Sequence, residues 1–296
     1  MKYNQLGKTG YEVSAITYGG IVSAVQYDGI ISPEIGSSDE YVQWAIEHGI
    51  NYFDVAPTYG DAELNLGKSL VPYRKDIYLA CKTNKRTAKE ARIDCEKTKE
   101  LLHTDYFDVY QLHGICTMEE VEIAFGKGGV MELMEELKRE GIARRIGFTA
   151  HSEEAALRML ELYDFDSVLF PYNWHMNQTT QMGDRLIKAL KERNIGVLCM
   201  KSMIERAWRF PEDNEKKQRY PKSWCKPIDV EDEEFLIAAL KYVAEMGVDT
   251  IIPPGNIHHF KFAVEHVDEI FDQPLTAQER QMLRERVEEV RAYPFF

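Results

Sequence analysis

Short apolar runs and longer amphipathic runs alternate along this chain. The short runs fall at residues 14–18, 51–55, 77–81, 107–112, 143–148, 167–170, 196–200 and 250–252. Each has the length of a strand, and most are rich in Val, Ile, Tyr or Phe, which suit a pleated, buried surface. Between them apolar residues return at helical spacing. Tyr41, Val42, Ala45 and Ile46 share one face of a segment that Gly49 stops, and Leu133, Met134 and Leu137 do so ahead of Gly141. Gly196 follows residues 182–194 and Gly247 follows residues 233–246, each placed to supply a left-handed helix stop.

Eight strands alternating with about eight helices imply parallel strands joined by right-handed crossovers. The expected fold is α/β, a closed (β/α)8 TIM barrel, in one domain over residues 1–296. An open dinucleotide-binding sheet fits less well, since no G-x-G-x-x-G follows the first strand. The turn Leu6-Gly-Lys-Thr-Gly10 ahead of Val13 predicts an N-terminal β-hairpin. Two long stretches, 114–129 after the fourth strand and 202–227 after the seventh, break the alternation. Both leave the C-terminal ends of strands, where barrel sites are built.

Composition narrows the partners. The formal net charge is −13, which disfavours nucleic acid and anionic membranes. No apolar stretch reaches the roughly 18 residues of a membrane span. Five scattered cysteines, Cys81, Cys95, Cys116, Cys199 and Cys225, form no C-x-x-C pair, so neither a metal site nor a disulfide framework is expected. A reducing cytoplasm fits these features.

The candidate chemistry sits at the strand ends. Asp54 closes the second strand and Tyr59 follows it; Lys82 closes the third, His113 the fourth, and His151 follows the fifth. Taken singly, each has an ordinary explanation as a cap, an ion-pair partner or a surface group. On consecutive strand ends of one barrel they converge. A phenol titrates near about 10, and an ammonium held by a carboxylate stabilises its anion. An imidazole can orient a substrate oxygen. This is the set needed to protonate an alkoxide as hydride arrives at a carbonyl carbon.

The stretch Asn51-Tyr-Phe-Asp-Val-Ala-Pro-Thr-Tyr-Gly60 resembles the signature of the aldo-keto reductases around their catalytic Asp and Tyr. Leu6-Gly-Lys-Thr-Gly-Tyr-Glu-Val-Ser14 resembles that family's hairpin and first strand; Leu79-Ala-Cys-Lys and Tyr110-Gln-Leu-His match its Lys and His; Ile252-Pro-Pro-Gly-Asn256 resembles its last cofactor turn. The resemblance runs from Tyr3 to about Ile270 and lies with a branch carrying Met-Lys after the seventh strand, without an iron–sulfur extension at the C-terminus. It implies a small-molecule carbonyl or alcohol substrate, with NADP(H) favoured and NAD(H) as the alternative. Tyr59 would be the general acid, Lys82 and Asp54 would lower its pKa, and His113 would position the carbonyl. Thr149 and Ala150 stand where the family holds the nicotinamide amide with Ser and Asn, with Asn173 after Tyr172, and Met200 and Lys201 stand where an aromatic often stacks. Pro254, Gly255 and Asn256 form the turn, Lys261 replaces an Arg at the 2′-phosphate, and Glu265 an Asn at the adenine.

The segment 204–226 carries Arg206, Arg209, Lys216, Lys217, Arg219, Lys222 and Lys226, a basic loop that either clamps an anion or is simply solvated. Its Trp208 and Trp224, with nearby Trp174, are candidates to wall a substrate pocket. Two rival readings stay open: a Schiff-base lyase acting through Lys82, and a slow or non-catalytic cofactor-sensing subunit. Oligomeric state is not legible.

Overall fold

The computed structural model describes residues 1–32 and 36–294. Eight parallel strands form, the first shifted to the end of its expected run because Ser14 joins the hairpin: β1 (Tyr18–Gly19), β2 (Tyr52–Asp54), β3 (Tyr78–Thr83), β4 (Phe107–Ile115), β5 (Ala143–Ala150), β6 (Ser167–Phe170), β7 (Gly196–Met200) and β8 (Thr250–Ile252). They pair in chain order from β1 to β8. A bridge between Ile16 and Ile251 brings the first strand's lead-in against the last, with the Thr17 N–H donating to the Ile251 carbonyl at 2.8 Å. The barrel is thereby nearly closed, and helices lie between successive strands.

Residues two apart on a strand face the same way, so each strand feeds both an interior and an outer core. Inside the barrel, Tyr52, Ala80, Val109, Leu169 and Leu198 form a small apolar cluster completed by Leu6 and Val13. The latter two come from the hairpin in which Tyr3–Gln5 pairs antiparallel with Glu12–Ser14, Tyr3 opposite Ser14. Leu6 is wholly buried, a transfer worth about 1.5–3 kcal/mol, so the hairpin is a plug in the N-terminal mouth. This explains Gly196, which is not the left-handed helix stop the sequence pattern suggested. The helix ends at Glu192, Asn194 takes the positive φ (51°), and Gly196 opens β7. A Cβ on Gly196 would lie 2.7 Å from Leu6 Cγ, so the plug itself demands the glycine.

Outside the strands, amphipathic helices bury their apolar faces. The helix Val130–Arg139 sinks Leu133, Met134 and Leu137, with Gly141 at φ 76° beyond it. Capping boxes open Ser38–Glu47 (Ser37 with Glu40), Met118–Phe125 (Thr117 with Glu120) and Ala277–Val290 (Thr276 with Glu279). Each such cap is worth about 1 kcal/mol. Glu233 and Glu234 stand in the first turn of the helix Glu233–Met246, where its dipole favours negative charge.

The long excursions all emerge at the C-terminal rim. The one after β4 holds the helix Met118–Phe125. The one after β7 is a strap with its own antiparallel pair, Ile204–Arg206 against Lys226–Pro227, and a helix Asn214–Arg219. A third, which the hydrophobic pattern does not show, follows β1 as a ribbon of Gln26–Tyr27 against Ile30–Ile31. No helix among the described residues is long and apolar enough to cross a membrane.

Candidate active site

One step up the strands from the apolar plug lies a polar layer. Asp54 stands two residues beyond Tyr52, Lys82 two beyond Ala80, and Gln111 two beyond Val109. Register sets Asp54 opposite Ala80 and Lys82 opposite Gln111. The wholly buried Lys82 ammonium donates to Asp54 Oδ1 and, at 3.1 Å, to the Val55 carbonyl; Gln111 Nε2 donates to Asp54 Oδ2 at 2.8 Å. Both carboxylate oxygens are thus fixed. Gln111 belongs to no motif of its own, although the two-residue alternation of β4 puts it on the same side as His113.

Tyr59, on the turn after β2, lies above this layer with its ring centroid 5.3 Å from Lys82 Nζ. His113, near the end of β4, meets that ring edge-on with centroids 5.8 Å apart, and its Nδ1 is 3.5 Å from Thr58 Oγ1. Arg86 fastens the strand end by donating to the carbonyls of His113 at 2.8 Å and Gly114 at 3.1 Å. All four residues expected to carry the chemistry are brought together.

Burial works to lower the Lys82 pKa and Asp54 to raise it; the carboxylate prevails and the ammonium stays charged. Burial likewise pushes the Tyr59 phenol up, and Lys82 pulls it back without overcoming that effect. The net direction is the reverse of the lowered value the sequence suggested, and it keeps the phenol protonated. Burial, then Lys82, lowers His113 to about 3, and burial, then Lys201, lowers His151 to about 4. Both imidazoles are neutral at ordinary pH.

The cleft has two lobes that meet at Tyr59. An inner slot is lined by Gly19, Ile21, Leu169, Met200, Pro254 and Gly255 and roofed by residues 222–225 of the strap. Lys222 pins that roof by donating to the carbonyls of Val22 at 3.1 Å and Ala24 at 3.3 Å. A Cβ on Gly255 would come within 2.6 Å of Ile21 Cγ2, so glycine keeps the slot open. Its thin, largely apolar shape beside Tyr59 fits a flat nicotinamide ring. The outer lobe includes Tyr27, His113, Cys116, His151, Lys201 and Trp224.

The remaining expected residues divide. Met200, Lys201, Pro254 and Gly255 line the slot. Thr149 and Ala150 are buried between strands, with Thr149 Oγ1 accepting the Gly114 N–H at 2.7 Å. Asn173 caps the helix Trp174–Thr180 with Oδ1 and donates from Nδ2 to the carbonyls of Lys201 and Ile204, both at 2.8 Å. Asn256 caps the helix Ile257–Glu265. Lys261 and Glu265 ride that helix outside both lobes, Lys261 Nζ 4.9 Å from the Trp44 ring centroid and Glu265 exposed.

Of the three tryptophans, Trp224 alone lines the cleft, with its ring centroid 6.0 Å from that of Tyr59. Trp174 lies in the core, edge-on to Phe235, and Trp208 braces the strap by donating to the Ser223 carbonyl at 3.0 Å. Cations of the basic loop pair with carboxylates inside it and just beyond it: Arg206 with Asp213 and Lys226 with Glu205, then Lys216 with Asp229 and Arg219 with Glu231.

A parallel (β/α)8 barrel thus gathers a tyrosine, a buried lysine–carboxylate pair and a largely apolar slot at its C-terminal rim. The chain belongs to the aldo/keto reductase family, whose sequence model matches residues 33–279, and is an oxidoreductase of that family. It is 25% identical over 239 residues to the D-arabinose 1-dehydrogenase of Saccharomyces cerevisiae, covering 73% of this chain and 67% of that one. It is 28% identical over 217 residues to the aldo-keto reductase YhdN of Bacillus subtilis, covering 69% and 62%. The fold is shared with the holo form of an aldo-keto reductase from Bacillus halodurans, at a TM-score of 0.70 and 23% identity, covering 97% of this chain and 96% of that one.

Proposed function

We propose that this protein transfers hydride between NAD(P)H and a carbonyl or alcohol carbon, with Tyr59 as general acid in reduction and general base in oxidation. The observation that carries the reading is the convergence of Tyr59, Lys82, Asp54 and His113 where the slot opens into the outer lobe. A nicotinamide bound in the slot supplies or accepts the hydride. Met200 and Leu169 would pack against its ring, the turn 253–255 and the strap would hold its length, and the roof would exclude water. The neutral His113 donates a hydrogen bond to the carbonyl oxygen, and Tyr59 delivers the proton to that oxygen as charge develops. Lys82, kept charged by Asp54, stabilises the phenolate that remains; Gln111 holds Asp54 in place.

A permanently charged, hemmed-in Lys82 is a poor Schiff-base nucleophile, which weighs against the lyase reading. Lys261 is the cation that favours NADP(H) over NAD(H). We place the enzyme, as one domain, in a reducing cytoplasm; its acidic surface and unpaired cysteines support this. The test is titration with NADPH and NADH by intrinsic fluorescence, then turnover of a carbonyl panel beside Tyr59→Phe. The expected outcome is saturable binding in both proteins, tighter for NADPH, with turnover reduced by about 10²–10⁴ in the variant. Binding without turnover of any carbonyl would favour a sensing subunit; no nucleotide binding would overturn the proposal.

A further inference from the structure

Resting on that reading, we propose that the outer lobe selects carbonyl substrates bearing a carboxylate, which Lys201 holds while Tyr59 and His113 act on the carbonyl. Three observations lead there.

The first is the charge on the wall. The sequence has 49 acidic residues against 36 Lys and Arg. Yet among the described residues lining the outer lobe there is no Asp or Glu, and Lys201 carries the one formal charge. His113 and His151 beside it are neutral. A neutral alcohol or aldehyde gains little from such a wall, whereas an anion is drawn to its cation.

The second is the backbone. Lys201 lies just past β7 with φ +65°, a left-handed conformation that side-chain-bearing residues adopt at a cost. It is held there through its carbonyl, which accepts from Asn173 Nδ2 at 2.8 Å and from the Ile204 N–H at 3.1 Å. Asn173 thus acts as a positioning residue. A strained lysine held this firmly at a strand end is an arrangement that recurs at ligand-binding points.

The third is location. Lys201 shares the outer lobe with Tyr59 and His113, so one small molecule can reach all three. Its ammonium lies 4.0 Å from Cys225 Sγ on the strap, under partial cover from water, where an ionic contact is stronger than on an open surface. Burial lowers its pKa below the ordinary lysine value, and a bound carboxylate would reverse that shift.

The test compares 4-carboxybenzaldehyde with 4-methylbenzaldehyde under NADPH in the parent, Lys201→Met and Lys201→Arg. The expected result is a kcat/KM ratio favouring the acid by about tenfold or more, the scale of one charge-assisted hydrogen bond. That ratio collapses toward unity in Lys201→Met and partly survives in Lys201→Arg. Without cofactor, benzoate titrated against tryptophan emission binds about tenfold more weakly to Lys201→Met, while benzamide does not discriminate. A parent ratio near unity, or a ratio unmoved by Lys201→Met, overturns the inference and leaves the reductase reading standing. Parallel loss of both aldehydes and of NADPH affinity also overturns it, assigning Lys201 to the cofactor. Absence of NADPH binding and of all turnover removes both.

Discussion

Among the described residues, two lysine–carboxylate pairs are buried on both sides, and their surroundings differ. Lys82 and Asp54 sit on adjacent barrel strands, with a phenol above them at the floor of a cleft. Lys226 and Glu205 sit on the paired strands of the strap, where Arg286 shares Glu205 at 2.8 Å. Both are desolvated ion pairs, but one faces the Tyr59 phenol in a cleft and the other faces protein. Chemistry therefore comes from what the pair touches rather than from its burial or strength.

Breaking each pair should expose this difference. Lys82→Met strands a carboxylate in the barrel interior, so a loss of about 3–5 kcal/mol in stability is expected with a fall in kcat of about 10²–10⁴. Adding Asp54→Asn should recover much of the stability, read from urea unfolding, and none of the turnover. Recovery of turnover would remove Lys82 from the chemistry. Lys226→Met leaves Glu205 with Arg286, so about 1–2 kcal/mol is expected. Its kinetic mark should be a raised KM for the nucleotide with little change in kcat; a large fall in kcat would erase the contrast.

Acid should act on both regions through groups that burial keeps neutral. His113 at about 3, and His151 and His259 at about 4, have folded pKa values below the unfolded value of about 6.5. Their contribution is complete above pH 6.5 and is lost as pH falls toward 4, so the urea midpoint should drop across that window. Asp249, raised by burial to about 6, has the opposite sign: its contribution is present below about 4 and lost as pH rises through 6. Asp249→Asn should therefore gain on the parent by about 1–2 kcal/mol between pH 4 and 7. A pH-independent difference would show that Asp249 is ionised throughout.

The barrel was legible because its signals are local and repeated. β6, β7 and β8 run over 167–170, 196–200 and 250–252, the ranges the apolar runs had marked. Asp54, Lys82 and His113 were legible as strand-end residues in a fold that gathers strand ends. Asn173 and Trp174 were not, because an amide used as a cap and an indole used as core filler have the same letters as ligand contacts. Nor was the strap, whose cations find carboxylates such as Asp229 and Glu231 only after the chain has folded back. The ribbon after β1 is held by Asp61, which accepts the Val25 and Gln26 N–H groups, a pairing no periodicity announces.

The hairpin plug has a kinetic consequence. With Leu6 and Val13 packed into the N-terminal mouth beneath the layer of Asp54, Lys82 and Gln111, the described cleft opens on the C-terminal rim. A nucleotide in the inner slot and a substrate in the outer lobe, as proposed, would share that opening, the nucleotide deeper under the fastened roof, and would enter and leave in sequence. Steady-state rates should follow a compulsory order, nucleotide first on and last off, and product inhibition patterns would report it.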